Sequence, residues 1–371
     1  MSTSAALDEL LVAELCRAAE HERGDAADVV RAHLRRVAPL ASEATGERLV
    51  RAAVARLDGL GALDALLDDD RIDEVLVNSH GDIWVERDGE LQRAGDLAAA
   101  DLAIVVERIL APLGRRLDRS SPVVDARLPD GSRVCAVVPP VATDGACLSV
   151  RRFRDRSRPL TSFGGDDVSA LVHELVDARC NVVVGGATSA GKTSLLNAAL
   201  GRVRPGERIV TIEDTAELLP ATPHLLRLEA RPAAADGPPA ITLEQLVRMA
   251  LRLRPDRLVV GEVRGPEVLA LVQALNTGHD GSWSTCHANS ALDVLHRLET
   301  LVLQAAPAWP LRAVRQQLTR SIDVVVQVAR RDDGARGVVE VGEVVVSGDH
   351  LAVTPILDGR AVIGELTRSR T

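Results

Sequence analysis

The sequence predicts an α/β protein: a helix-flanked parallel sheet in the C-terminal half, a smaller α+β domain before it, and a short helical segment in front. Three observations predict this. An apolar run at Asn181–Val184 leads into the glycine-rich loop Gly186–Thr193 and then a helix. Strand-like and helix-like stretches alternate from there to about residue 304. Short β-like runs separated by Asp-Gly turns occupy residues 72–152.

Taken in order, Leu7, Leu10, Leu11 and Leu15, then Val29, Val30, His33 and Leu34, recur at helical spacing, so helices are expected over residues 5–57 within a segment 1–58. At Gly59-Leu60-Gly61 the pattern changes. Ile72–Val77 and Asp82–Arg87 read as strands, with Asp88-Gly89 turning into Glu90–Arg93. A helix over Ala99–Leu113 and strands at Val123–Arg127, Arg133–Val138 and Ala146–Arg152 complete an α+β domain over 59–150. Residues 151–166 carry five Arg, a Pro and a Gly-Gly pair and are expected as an interdomain linker. The α/β domain, 167–371, then opens with a helix over 167–178. Beyond the glycine-rich loop it should hold a helix over 192–200, strands at Arg208–Ile212 and Arg257–Val260, a loop at Arg231–Ala240 and a helix near 309–320. Ile322–Ala329, Val338–Val346 and Leu351–Ile356 should form a terminal β-meander.

Composition narrows the classes. A length of 371 residues suits two or three domains of about 150 residues each. With 46% hydrophobic and 26% charged residues, wholesale disorder and low-complexity architectures are excluded. No apolar run approaches the ~18 residues of a spanning helix, and the acidic start without a basic n-region argues against a secretory signal, so a cytoplasmic location is expected. The five cysteines (Cys16, Cys135, Cys147, Cys180, Cys286) form no C-x-x-C pair and fit neither a disulfide framework nor a zinc ribbon. The net charge of −9 sits in the first hundred residues, where 21 Asp and Glu face 11 Arg. That acidity, and only five aromatic residues to stack on bases, argue against direct nucleic-acid binding. Of 44 basic residues 43 are Arg, and the single lysine is Lys192. A chain that uses arginine almost everywhere keeps lysine where a compact point charge is needed.

The residues around Lys192 say what that need is. Gly186, Ala187, Thr188, Ser189, Ala190, Gly191, Lys192 and Thr193 satisfy G-x-x-x-x-G-K-[ST] between a buried strand and a helix, and Ser194 continues the first turn. Glycines let backbone N–H groups turn inward on phosphate oxygens, and the helix start adds partial positive charge. Lys192 is expected to reach the terminal phosphates and Thr193 to ligate Mg²⁺, making ATP the implied ligand. Glu262, where the apolar strand Arg257–Val260 ends, is the expected general base for the attacking water. Glu213 follows a similar strand and is expected to position Mg²⁺ or water, while Asp214, before Thr215, also suits a helix or turn cap. His279 and His287 stand at the two ends of a short predicted strand and read as a γ-phosphate sensor, with a zinc site rejected for want of further ligands.

Together these segments resemble the secretion ATPase superfamily that drives type II secretion, type IV pili and type IV secretion. The glycine-rich loop matches its Walker A motif, TIEDTAEL its Asp box, RPDRLVVGEVRG its Walker B region and NTGHDGSWSTCHAN its His box. GLGALDALLDDDRIDEVLVN, WVERDGEL and SSPVVDARLPDGSRV further resemble the tight-adherence (Tad, CpaF-type) pilus branch; the likeness covers about residues 59–330. Cys286 and Trp283 depart from the usual His-box pattern, and the tetracysteine module of many type II members is absent. The resemblance implies a RecA-like ATPase domain behind a PAS-like N-terminal domain, assembled as a homo-hexamer. ATP and Mg²⁺ would lie between the domains, with N-terminal arginines completing the pocket: Arg127, Arg133, Arg151 and Arg152 are the matching candidates. It implies inner-membrane platform proteins as partners, holding the motor at the inner face of the plasma membrane. A pilus-assembly motor is the leading expectation; a conjugal-transfer or effector-export ATPase and a nucleotide-gated scaffold without turnover are the alternatives.

Overall fold

The computed structural model describes the chain apart from residues 1, 2, 20–24, 58, 129, 154–157, 232–238, 331–333, 360, 369 and 371, with the backbone alone at 3–6 and 9. It divides into two units, Met1–Arg154 and Asp155–Thr371.

The first unit begins with three helices, α1 (Thr3–Ala19), α2 (Ala26–Val37) and α3 (Glu43–Leu57), closed around Leu15, Val30, Leu34, Leu49 and Ala53. Asp25 starts α2 by accepting from the N–H groups of Ala27 and Asp28 at 3.0 and 3.2 Å. After α4 (Asp64–Leu67) come β1 (Ile72–Val77), β2 (Asp82–Arg87), β3 (Glu90–Asp96), α5 (Ala99–Leu110), β4 (Val123–Arg127), β5 (Arg133–Val137) and β6 (Cys147–Arg151). The strands form an antiparallel sheet in the order β3-β2-β1-β6-β5-β4. Alternate residues such as Val75, Val77, Val85, Val134 and Val150 pack with Leu102, Val105 and Ile109 of α5. Arg108 of α5 donates to the carbonyls of Leu57 and Gly59, both at 2.6 Å, which ties the three-helix segment to the sheet domain.

The second unit contains α6 (Asp166–Asp177), β7 (Val182–Gly185), α7 (Lys192–Leu200), β8 (Ile209–Glu213), β9 (Leu225–Glu229), α8 (Leu243–Ala250), β10 (Arg257–Val260), α9 (Glu267–Leu275), β11 (Trp283–Cys286), α10 (Ala291–Ala305), α11 (Leu311–Ser321), β12 (Val324–Arg330), β13 (Arg336–Ser347), β14 (His350–Asp358) and β15 (Ala361–Val362). Its sheet runs β15-β14-β13-β12-β7-β11-β10-β8-β9, parallel from β12 to β9 and antiparallel from β12 to β15. The expected meander is therefore joined to the parallel sheet through β12, which pairs with β7. Period-2 alternation sends Val182 and Val184 toward α6 and α7, and Val183 toward the apolar faces of α8 to α11. All four residues of β7, β10 and β11 are buried, as strands covered on both faces must be.

The expected linker is only partly a linker. β6 runs to Arg151, and Leu160 and Phe163, in a short turn of 3₁₀-helix, are buried in the second core at 7% and 0% exposure. Burying those two side chains offsets the freedom that the flanking Arg, Pro and Gly residues would otherwise give the segment. Its residues 154–157, and 232–238 of the expected loop at Arg231–Ala240, lie outside the described residues.

Candidate functional site

In a parallel sheet the C-terminal strand ends share one edge, where loops meet. β7 ends there at Gly185 and the chain enters the glycine-rich loop. Ala187, Thr188 and Ser189 are exposed, Ala190 is buried, and Thr193 and Ser194 are half-buried in the first turn of α7. Gly191, which caps that helix, has φ +103°, and no side chain caps the first turn. A Cβ on Gly186 would stand 2.6 Å from the Val328 carbonyl oxygen, so only glycine brings the loop this close to β12. The uncapped turn and the tight glycine path together form a cradle that suits a polyphosphate.

Lys192 is 7% exposed and its ammonium lies on the loop itself. Nζ donates to the carbonyls of Gly186 and Ala187 at 2.9 and 3.0 Å and to Nδ1 of His287 at 3.2 Å. Burial pushes its pKa down, while the nearby Glu262 carboxylate opposes that shift. His287 Nε2 lies 3.1 Å from Oε1 of Glu262. An imidazole protonated at Nε2 satisfies both contacts, accepting from Lys192 and donating to Glu262. Topology explains the bridge. β11 lies between β7 and β10, with Cys286 opposite Gly185 and Ser284 opposite Val260, so the residue after β11 falls between the two loops.

The two histidines separate. His279 lies before β11, at the opposite sheet edge, where its Nδ1 is 3.1 Å from the Ala274 carbonyl oxygen at the end of α9. Of the two, His287 reaches the glycine-rich loop, through Lys192.

Glu213 and Asp214 also divide. Glu213, 4% exposed, accepts from the N–H groups of Glu217 at 2.9 Å and Leu218 at 3.0 and 3.2 Å. Both carboxylate oxygens are thus engaged in holding the turn after β8, so the cap expected of Asp214 falls to Glu213, which is not left as an open metal ligand. Burial pushes its pKa up to about 7 even though the two backbone donors favour the ionised form. Asp214 pairs instead with Arg264 at 3.2 Å, and Arg264 pairs with Glu262 at 3.3 Å.

In the first unit, register puts Arg127 opposite Arg133 and Arg133 opposite Arg151, so three arginines stand side by side on the sheet face away from α5. Glu74 of β1 stands next in the row, opposite Arg151, so the row is not uniformly basic. Arg152 projects the other way: it donates to the Asp69 carbonyl at 2.6 Å and lies 3.5 Å from the Asp70 carboxylate. The structure thus groups Arg127 with Arg133 and Arg151 and leaves Arg152 as an internal brace.

A family model described as type II/IV secretion system protein matches residues 56–366. The chain belongs to that family. A Mycobacterium tuberculosis protein provisionally named for conjugal transfer is 42% identical over 342 residues, covering 86% of this chain and 96% of that one. The type IV secretion system protein PtlH of Bordetella pertussis is 34% identical over 310 residues, covering 75% and 91%. The crystal structure of the pilus retraction motor PilT with bound ADP shares the fold, with a TM-score of 0.57 at 18% identity over 81% of this chain and 83% of that one.

For this type II/IV secretion system family member, motif reading passed over Arg264 and Gln327. Arg264, two residues beyond Glu262, could have been flagged as the charge nearest the expected base. Gln327 sits among the valines of β12, opposite Gly185; its Nε2 donates to the Ala288 carbonyl at 3.1 Å and joins β12 to the residue after His287. A lone amide in a valine run was its only signal.

Proposed function

We propose that the chain is an ATP-hydrolysing motor subunit of a pilus-assembly or type IV secretion machine, working as a homo-hexamer on inner-membrane platform proteins. The observation that carries this reading is the hydrogen-bonded series Lys192–His287–Glu262 across the loop edge of β7, β11 and β10. Lys192, resting on its own loop carbonyls, has a cation to transfer to incoming phosphates. The uncapped amides of α7 bind phosphate oxygens, and the Thr193 hydroxyl would hold Mg²⁺, which neutralises phosphate charge when bound. Glu262 accepts the proton of the attacking water, and His287 links the state of that carboxylate to the lysine. The resemblance adds Arg127, Arg133 and Arg151 as the first unit's candidates for neutralising phosphate charge.

The tight-adherence segments at Gly59–Asn78 and Ser120–Val134 favour pilus assembly, while the relatives named for conjugal transfer and type IV secretion favour export. Both use the same site. Phosphate release and light scattering on wild type, Lys192→Ala and Glu262→Gln test the reading. Mg²⁺-dependent turnover by wild type alone, from particles of about six subunits, is expected. Turnover unchanged in both variants would overturn it.

A further inference from the structure

β12 flanks β7 on the side away from Glu262, and its register, Gln327 opposite Gly185, carries it about 10 Å past the last residue of β7. There Arg330 pairs across the hairpin with Arg336, the first residue of β13. Val328 opposite Val338 packs in the same apolar cluster as α7, and parity puts both arginines on that face. The Arg336 stem runs along the N-cap of α7, its Cβ and Cδ each 3.9 Å from where a Cβ on Gly191 would stand. A third arginine joins them. The Arg158 guanidinium carbon is 5.4 Å from the ring centroid of Phe163, whose edge lies 3.7 Å from that same Gly191 position. The arginine pair adjoins the helix start whose uncapped amides attract an anion.

We propose that Arg336, reinforced by Arg330, is a phosphate-binding residue of the nucleotide site, closing the flank of the loop opposite Glu262. Resting on the nucleotide-binding reading above, this adds a contact from the C-terminal sheet that the glycine-rich motif does not contain. The planar guanidinium matches two phosphate oxygens, so lysine is an incomplete substitute.

The test is titration of full-length wild type, Arg336→Gln, Arg336→Lys, Arg330→Gln and Lys192→Ala with MgATP and MgADP by calorimetry. Glutamine keeps the stem on Gly191 and removes the charge. Exposed Arg330 provides a variant that folds even if position 336 tolerates no change. Expected are a Kd raised about tenfold or more in Arg336→Gln, and about threefold in Arg336→Lys and Arg330→Gln, at unchanged urea midpoints. Binding within twofold of wild type in Arg336→Gln and Arg330→Gln, with loss only in Lys192→Ala, would overturn this inference and leave the nucleotide site standing. Binding unaffected by Lys192→Ala would overturn both.

Discussion

Glu213 gives the structure a pH signature that can be worked through. Its carboxyl, ordinary at 4.5, is raised to about 7 by burial. The native state therefore binds a proton that the unfolded chain releases between those values, so this group's contribution is greatest below pH 4.5 and is lost as pH rises toward 7. At 1.36 kcal/mol per pKa unit, the full penalty above pH 7 is about 3 kcal/mol, of which about 2.5 kcal/mol develops between pH 5 and pH 8. Glu213→Gln keeps the size and one carbonyl acceptor for the Leu218 N–H but cannot ionise. Urea unfolding of wild type and variant at pH 5, 6, 7 and 8 isolates the effect, because every other titrating group cancels in the difference. Wild type should lose about 2.5 kcal/mol relative to the variant across that range. Parallel profiles would show that this carboxyl is not desolvated as described, and its assignment to the turn after β8 would fall with it.

Three further outcomes follow from contacts already described. Gly185→Ala would place its Cβ 2.2 Å from Gln327 Oε1 and 2.5 Å from Val294 Cγ2, so a loss of about 1–3 kcal/mol is expected in chemical denaturation. Arg264→Ala should leave ATP affinity within twofold while lowering kcat, since Arg264 touches Glu262 and Asp214; calorimetric titration beside steady-state phosphate release separates the two effects. Glu207→Gln removes the carboxylate that pairs with the buried Arg257 at 2.8 Å and with Arg179; urea unfolding should register a cost of about 3 kcal/mol, against well under 1 kcal/mol for breaking the exposed Arg202–Asp177 pair.

What the sequence determined by itself is local. The glycine-rich loop, its strand and its helix are consecutive, so the backbone amides and Lys192 that form the cradle are encoded within one short stretch. The family is likewise legible, because its motifs recur in order along the chain. Tertiary structure decided everything that depends on strand order or strand parity. Lys192, Glu262 and His287 meet because β11 lies between β7 and β10, an arrangement that the alternation of strands and helices does not specify. Arg151 and Arg152 are adjacent in sequence but face opposite sides of a strand, so only the first joins Arg127 and Arg133. Glu213 and Asp214 diverge for the same reason at the end of β8, one into the buried turn and the other to Arg264. Arg336, nearly 150 residues beyond the loop, reaches it because a hairpin overhangs the end of β7. A motif records which residues are neighbours in the chain, whereas pairing between distant strands decides which side chains share a site.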